Sequence, residues 1–224
     1  MSWVKTNAGE YCFAVDDRDG EAFEIEILPS DDRAREHFQV VWQRLATCAE
    51  WYYKKEKPPP PGWVAWKPWK WCDDKREAYA PRQKFVAWCG SSLAGILNVW
   101  PRFPSVFEEG RHTLYIEHVA ASPGNVKTEL WDRRYTGVGQ ALLAFAVKLS
   151  YDEGLEGRLS LHAADPVALG FYRHLDQKLS GALLHPERNG VTGPTPHGAH
   201  DDPTRTYLET TQKGAMQLLG VYRV

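Results

Sequence analysis

The chain has 224 residues, 43% hydrophobic and 25% charged, a globular balance that excludes a disordered, highly charged segment and leaves enough apolar side chain for a sizeable core. A formal net charge of −2 weighs against a protein that holds nucleic acid through bulk positive charge. Four cysteines, Cys12, Cys48, Cys72 and Cys89, stand far apart with no C-x-x-C pair, so neither a zinc site nor a disulfide framework is signalled and free thiols in a reducing compartment are expected.

The start, "MSWVKTNAGEYCFAVDD", lacks a basic region before an apolar run, and no stretch approaches the roughly 18 apolar residues of a membrane helix. A cytoplasmic protein with no membrane contact is expected. "EYCFAV" and "FEIEIL" flank "DDRDG", where Asp and Gly suit a turn, and predict a hairpin. Beyond Pro29, capping residues precede Phe38, Val41, Trp42, Leu45 and Cys48 on one helical stripe, which predicts the first helix. Residues 51–72 carry four consecutive prolines and five of the ten tryptophans, so they read as a loop or lid that cannot continue that helix. "KFVAWCGSSLAGILNVW" predicts a second hairpin, and "TLYIEHVAA" a strand ending near Pro123. An apolar helix follows Gly139 and stops at "DEG"; "GRLSLHAA" is a further strand, and "GFYRHL" lies in a short helix after it. A Gly-, Pro- and His-rich loop at about 181–204 leads to "RTYLETT", a last strand, and a final short helix. Within that loop His197, His200, Asp201 and Asp202 have no matching partner cluster, so they read as solvated and no metal is assigned. The order predicts a mixed sheet with helices packed on it, an α/β or α+β domain, and the whole chain, 1–224, reads as one domain carrying the 51–72 insertion and the 181–204 loop.

Gly137 and Gly139 sit one residue apart where the apolar helix begins. Glycine permits backbone angles and close approaches closed to other residues, and a helix N-terminus presents free N–H groups with a partial positive charge. Together they suit an anion cradle. Leu142 stands where a dinucleotide fingerprint wants a third small residue, and Gln140-Ala141 where a P-loop wants Lys-Ser/Thr. Neither of those motifs fits.

Arg134-Tyr135-Thr136-Gly137-Val138-Gly139 resembles instead the Q/R-x-x-G-x-G/A pyrophosphate motif of the GNAT N-acyltransferases. Around it, "LYIEHVAASP" resembles that family's fourth strand, and "LSLHAADPVALGFYRHL" its fifth strand and the helix with a Phe-Tyr pair, here Phe171-Tyr172. The resemblance covers about residues 112–176. Two features depart from it: ten residues separate Pro123 from Arg134 where the family has almost none, and Asp165 stands in place of a frequent asparagine. The resemblance implies a mostly antiparallel central sheet flanked by helices and splayed between its fourth and fifth strands, binding acetyl-CoA and passing the acetyl group directly to an amine acceptor. It implies that backbone donors from Tyr135 through Thr136, Gly137, Val138 and Gly139 to Gln140 hold the pyrophosphate, with Arg134 adding charge. The edge at Val119, Ala120 and Ala121 would pair with the pantetheine arm and polarise the acyl carbonyl. Tyr172 is the implied general acid and Glu117 the general base, with His118 in reserve on the opposite face by strand alternation. No cysteine lies in the motif region, so no covalent acyl-enzyme is implied.

Each assignment has a structural counterpart: a tight turn for the glycines, a core aromatic for Tyr172, a network carboxylate for Glu117, a surface arginine for Arg134. In the 51–72 segment, lysines interleave with aromatics against the single acid Glu56. That composition suits a lid on the acceptor pocket, aromatic packing on the sheet, or a platform for single-stranded nucleic acid. Two further functions therefore stay open: a binding module that engages RNA or protein through this segment, and a toxin-like enzyme that acetylates aminoacyl-tRNA. Acceptor identity and any homo-oligomer are also open.

Overall fold

Ile25 and Ile27, two apart in "FEIEIL", are both buried while Glu24 and Glu26, which alternate with them, are exposed, the period of a strand with one covered face. The structure, a computed structural model, describes residues 4–5, 11–16, 20–55, 82–125, 130, 132–163, 166–178, 183–184 and 206–221. The strands are β1 (Val4–Lys5), β2 (Tyr11–Asp16), β3 (Ala22–Pro29), β4 (Gln83–Cys89), β5 (Ser92–Pro104), β6 (His112–Ala121), β7 (Leu159–Ala163), β8 (Leu183–Leu184) and β9 (Thr206–Thr210). They form one sheet in the order β1-β2-β3-β4-β5-β6-β7-β9-β8. Every neighbouring pair is antiparallel except β6 with β7. The mixed, mostly antiparallel sheet is the expected one.

The helices are α1 (Asp32–His37), α2 (Gln43–Lys55), α3 (Val138–Asp152), α4 (Pro166–Lys178) and α5 (Gln212–Val221). Asp31 caps α1 by accepting from Ala34 N–H at 2.8 Å. Val138, Leu142 and Val147 of α3 are buried with Leu97, Val99, Leu114 and Ile116, which defines one face of the sheet. The other face carries Val86, Trp88 and Ile96, covered by Ala34, Phe38 and Trp42.

Three expectations are corrected. Of the predicted stripe Phe38 and Trp42 are buried and Leu45 is half-buried, but Val41 and Cys48 are exposed. Between α1 and α2 a π-helical turn, Phe38–Trp42, bonds Gln43 N–H to Phe38 O; the extra residue rotates the helix, so the covered positions become Ala34, Phe38, Trp42 and Ala49. The helix runs to Lys55 rather than giving way at residue 51, because the first proline comes only at Pro58. The helix containing "GFYRHL" is not short, spanning 13 residues. The remainder of the 51–72 segment, Asp165, and His197, His200, Asp201 and Asp202 lie outside the described residues. No helix among the described residues is long and apolar enough to cross a membrane.

Candidate active site

The parallel pair is short. β6 and β7 are in register at Leu114 with Leu159, Tyr115 with Ser160 and Ile116 with Leu161, and no further. β6 continues to Ala121 and β7 to Ala163, each paired there, among the described residues, with its other neighbour alone, β5 or β9. Val119, Ala120 and Ala121 pair with Leu97, Ile96 and Gly95 on β5 and have no ladder partner on the β7 side. The β6–β7 ladder thus parts at the edge where the family resemblance places a pantetheine arm.

The start of α3 is carried to this gap by close packing. A side chain on Gly95 would approach Val138 Cγ1 and Leu142 Cδ1 at 2.8 Å and Ala120 O at 3.3 Å, so a glycine there lets the first turn of α3 lie against β5 and β6. Gly137 is the N-cap, left-handed at φ 79°, ψ −2°, and, being glycine, makes no side-chain capping bond. The first bond of the turn is Ala141 N–H to Gly137 O, so the amides of Val138, Gly139 and Gln140 are donors by helix geometry. A Cβ on Gly139 would meet nothing within 4 Å. The donors at Arg134 and Tyr135 are committed: Arg134 N–H bonds Gly124 O at 3.1 Å and Tyr135 N–H bonds Asn125 Oδ1 at 3.2 Å. The Tyr135 ring is buried edge-on against Phe23, with the exposed Arg134 guanidinium 5.2 Å above it. Thr136 lies half-buried between them and the cap.

A β-bulge lies at the last rung. Asn98 pairs with His118 and Val99 with Ile116, so Glu117 is the extra residue of the bulge. The bulge corrects the expectation that His118 points away from Glu117. His118 shares a face with Asn98 and Tyr115 with Trp100, two residues along β5, and Trp100 in turn bonds Glu117; the inserted residue therefore leaves Glu117 and His118 on one side. That side is opposite α3. Glu117 Oε2 accepts from Trp100 Nε1 at 3.1 Å, and Oε1 lies 3.3 Å from Arg82 Nη2. The Arg82 guanidinium stacks 4.9 Å from the Trp100 ring, and His118 Nδ1 is 2.6 Å from Glu117 O. The same face continues polar across the diverging strands: Tyr115 hydroxyl and His162 Nδ1 share a hydrogen bond of 2.8 Å, and buried Glu209 accepts from Tyr207, Ser105 and Val106 N–H.

Tyr172 lies on the α3 side. It is buried in the cluster with Leu161 and Leu208, and lines a small apolar cavity with Leu143, Leu175 and Leu218. Burial pushes its phenol well above the usual tyrosine value. Glu117 and Tyr172 thus face opposite sides of the sheet at the place where β6 and β7 part. Cys89 is buried in the same apolar cluster, its thiol pushed up to about 12 by burial, with the nearby Arg134 charge pulling weakly the other way. Three contributors were not singled out from the sequence: Arg82, Trp100 and Asn125. None belongs to a local motif, and each acts across more than nine residues of chain.

No protein-family model matches the chain, and no curated protein matches it. Among solved structures it is similar to a histone acetyltransferase HPA2-related acetyltransferase from Corynebacterium glutamicum (18% identity, 82% of this chain and 94% of that one, TM-score 0.45). Others are a GNAT-family acetyltransferase from Staphylococcus aureus (8%, 83% and 98%, 0.46) and the PaiA N-acetyltransferase of Thermoplasma acidophilum in complex with coenzyme A (12%, 84% and 98%, 0.44). The order of its strands and the single parallel pair, β6–β7, whose ladder ends early, are those that the sequence resemblance to the GNAT N-acyltransferases implies.

Proposed function

We propose that the protein is an acyl-CoA-dependent N-acyltransferase, in the first instance an N-acetyltransferase, moving acetyl from acetyl-CoA to an amine in a ternary complex. The observation that carries this reading is the end of the β6–β7 ladder at Ile116 and Leu161 next to a helix start whose cap is a left-handed glycine. The residues fit the cosubstrate. Val138, Gly139 and Gln140 amides at the positive end of α3 suit a diphosphate, the αL Gly137 aims them, and the open space over Gly139 admits close approach. Arg134 and Thr136 flank that cradle, and Tyr135 supports it from beneath through Asn125. The unpaired edge of Val119, Ala120 and Ala121 suits an amide-bearing arm added as a further strand, with an edge N–H to orient the acyl oxygen.

Acetyl-CoA supplies a thioester, an activated acyl group with a thiolate leaving group. Glu117, held by Arg82 and Trp100, accepts a proton from the incoming ammonium directly or through water. Tyr172, kept neutral by burial, holds a proton on the other side of the gap for the departing sulfur. Cys89 remains a thiol and takes no part. In this reading residues 1–224 form one acyltransferase unit, with the segments at about 51–72 and 181–204 inserted in it. Calorimetric titration with acetyl-CoA tests it. Binding with Kd between about 1 μM and 1 mM is expected, and no heat at millimolar cosubstrate overturns the assignment.

A further inference from the structure

We infer that the acceptor is a zwitterionic α-amino acid, its carboxylate received by Arg82 while its ammonium sits on Glu117. The inference deepens the acyltransferase reading and rests on it. The Arg82 side chain is nine-tenths buried, yet of its five N–H groups only those on Nη2 have a partner among the described residues, Glu117 at 3.3 Å. Arg82 Nε is buried with no acceptor at all. A buried donor left unmade is destabilising, and in a folded protein it marks where an oxygen is to be received. The flat face of the guanidinium is fixed on Trp100, so the remaining donors form a fork of set orientation, which matches a carboxylate better than a lone carbonyl.

Charge decides between an amino acid and a simple amine. Arg82 and Glu117 carry opposite charges 3.3 Å apart. An ammonium added alone would put two cations around one partly buried carboxylate, whereas an ammonium with its own carboxylate restores neutrality and gives each charge an opposite neighbour. The pair sits beside the gap, because Glu117 is the bulged residue just past the last rung of the β6–β7 ladder. In the transfer the new N–C bond forms as the C–S bond breaks. Tyr172 protonates the departing sulfur; of the two protons the ammonium gives up, one passes by Glu117 to water and the other restores the Tyr172 phenol.

Initial rates with acetyl-CoA are measured for the natural α-amino acids, each beside its α-amide and its decarboxylated amine. The expected result is an amino acid favoured about 100-fold in kcat/KM over both analogues. Arg82→Gln raises its KM about 100-fold, bringing it level with the amide, while acetyl-CoA affinity is unchanged. Arg82→Lys keeps the charge beside Glu117 and guards against misfolding; it recovers only part of the preference, since an ammonium lacks the fork. Equal or better turnover of amides, which would indicate peptide termini, or of simple amines, overturns the inference, as does an acid preference that survives Arg82→Gln. If the wild type binds no acetyl-CoA, the transferase reading itself has failed. The subsite is then tested by titrating the amino acids directly: binding lost in Arg82→Gln supports it, and absence of binding to the wild type overturns it.

Discussion

The indole Nε1–H of Trp100 donates to Glu117 Oε2 at 3.1 Å across the β5–β6 pair. Arg82 binds the other carboxylate oxygen and stacks on the same indole, so a single aromatic ring orients both members of the ion pair. Trp100→Phe keeps the packing and deletes only the donor. A loss of about 1 kcal/mol in unfolding free energy is expected, with kcat reduced about 10-fold through a looser carboxylate and acetyl-CoA affinity unchanged. A stability loss with unaltered kcat would reduce Trp100 to a packing residue.

Gly137 and Gly139 separate shape from binding. Gly137 is left-handed, so Gly137→Ala forces a Cβ into a backbone region that disfavours it, at about 1 kcal/mol or more. Gly139 is helical with empty space at its Cβ, so Gly139→Ala leaves stability unchanged or raises it by up to about 1 kcal/mol. The same methyl occupies the space a diphosphate needs. Acetyl-CoA affinity is therefore expected to fall at least tenfold in Gly139→Ala although the protein unfolds no more easily. Thermal melts beside calorimetry read both, and unweakened affinity would remove the diphosphate from this turn.

The elements that were legible in the sequence are those whose signals are local. The period-2 run around Ile25 and Ile27, the Gly90 turn and the glycine-led start of α3 each announce themselves within a dozen residues. Two kinds of feature did not. A one-residue insertion shifts a face without leaving a compositional mark, which is why the π-helical turn at Phe38–Trp42 and the bulge at Glu117 misdirected the stripe through Val41 and the placing of His118. Partners brought together by the sheet are also silent: nothing near Gln83 predicts that Arg82 meets a carboxylate 35 positions on, in β6.

Asn125 illustrates the second kind. Its amide donates to Ala94 O at 3.0 Å and its side-chain oxygen accepts from Tyr135 N–H at 3.2 Å, fastening the loop before α3 to β5. Asn125→Ala leaves a buried N–H and a buried carbonyl with fewer partners, and a loss of about 2–3 kcal/mol is expected in chemical denaturation. Asn125→Asp keeps the acceptor for Tyr135 but not the donor for Ala94 O. If Tyr135 N–H is the bond that shapes the cradle, Asn125→Asp binds acetyl-CoA better than Asn125→Ala. The reverse order would assign the cradle's geometry to the Ala94 contact.

Tyr172 connects stability to pH. Burial raises its phenol above the usual tyrosine value, and Tyr207 is raised as well, first by burial and then by the charge of Glu209. In the unfolded chain each ionises near pH 10. Above that pH the unfolded state loses protons that the folded state still holds, so stability falls, by up to about 1.4 kcal/mol per pH unit for each group. Below about pH 10 both are neutral in either state and contribute no pH dependence. Cys89, whose buried thiol is also raised, adds a decline that begins near pH 9, so denaturation followed from pH 8 to 11.5 should fall gently at first and more steeply above about pH 10, and Tyr172→Phe should remove about a third of the steeper slope. The same substitution deletes the proton held for sulfur, and kcat is expected to drop about 100-fold with acetyl-CoA affinity retained. If Tyr172→Phe softens the alkaline decline but leaves kcat intact, the phenol is a core aromatic and the acid must be sought elsewhere along the gap.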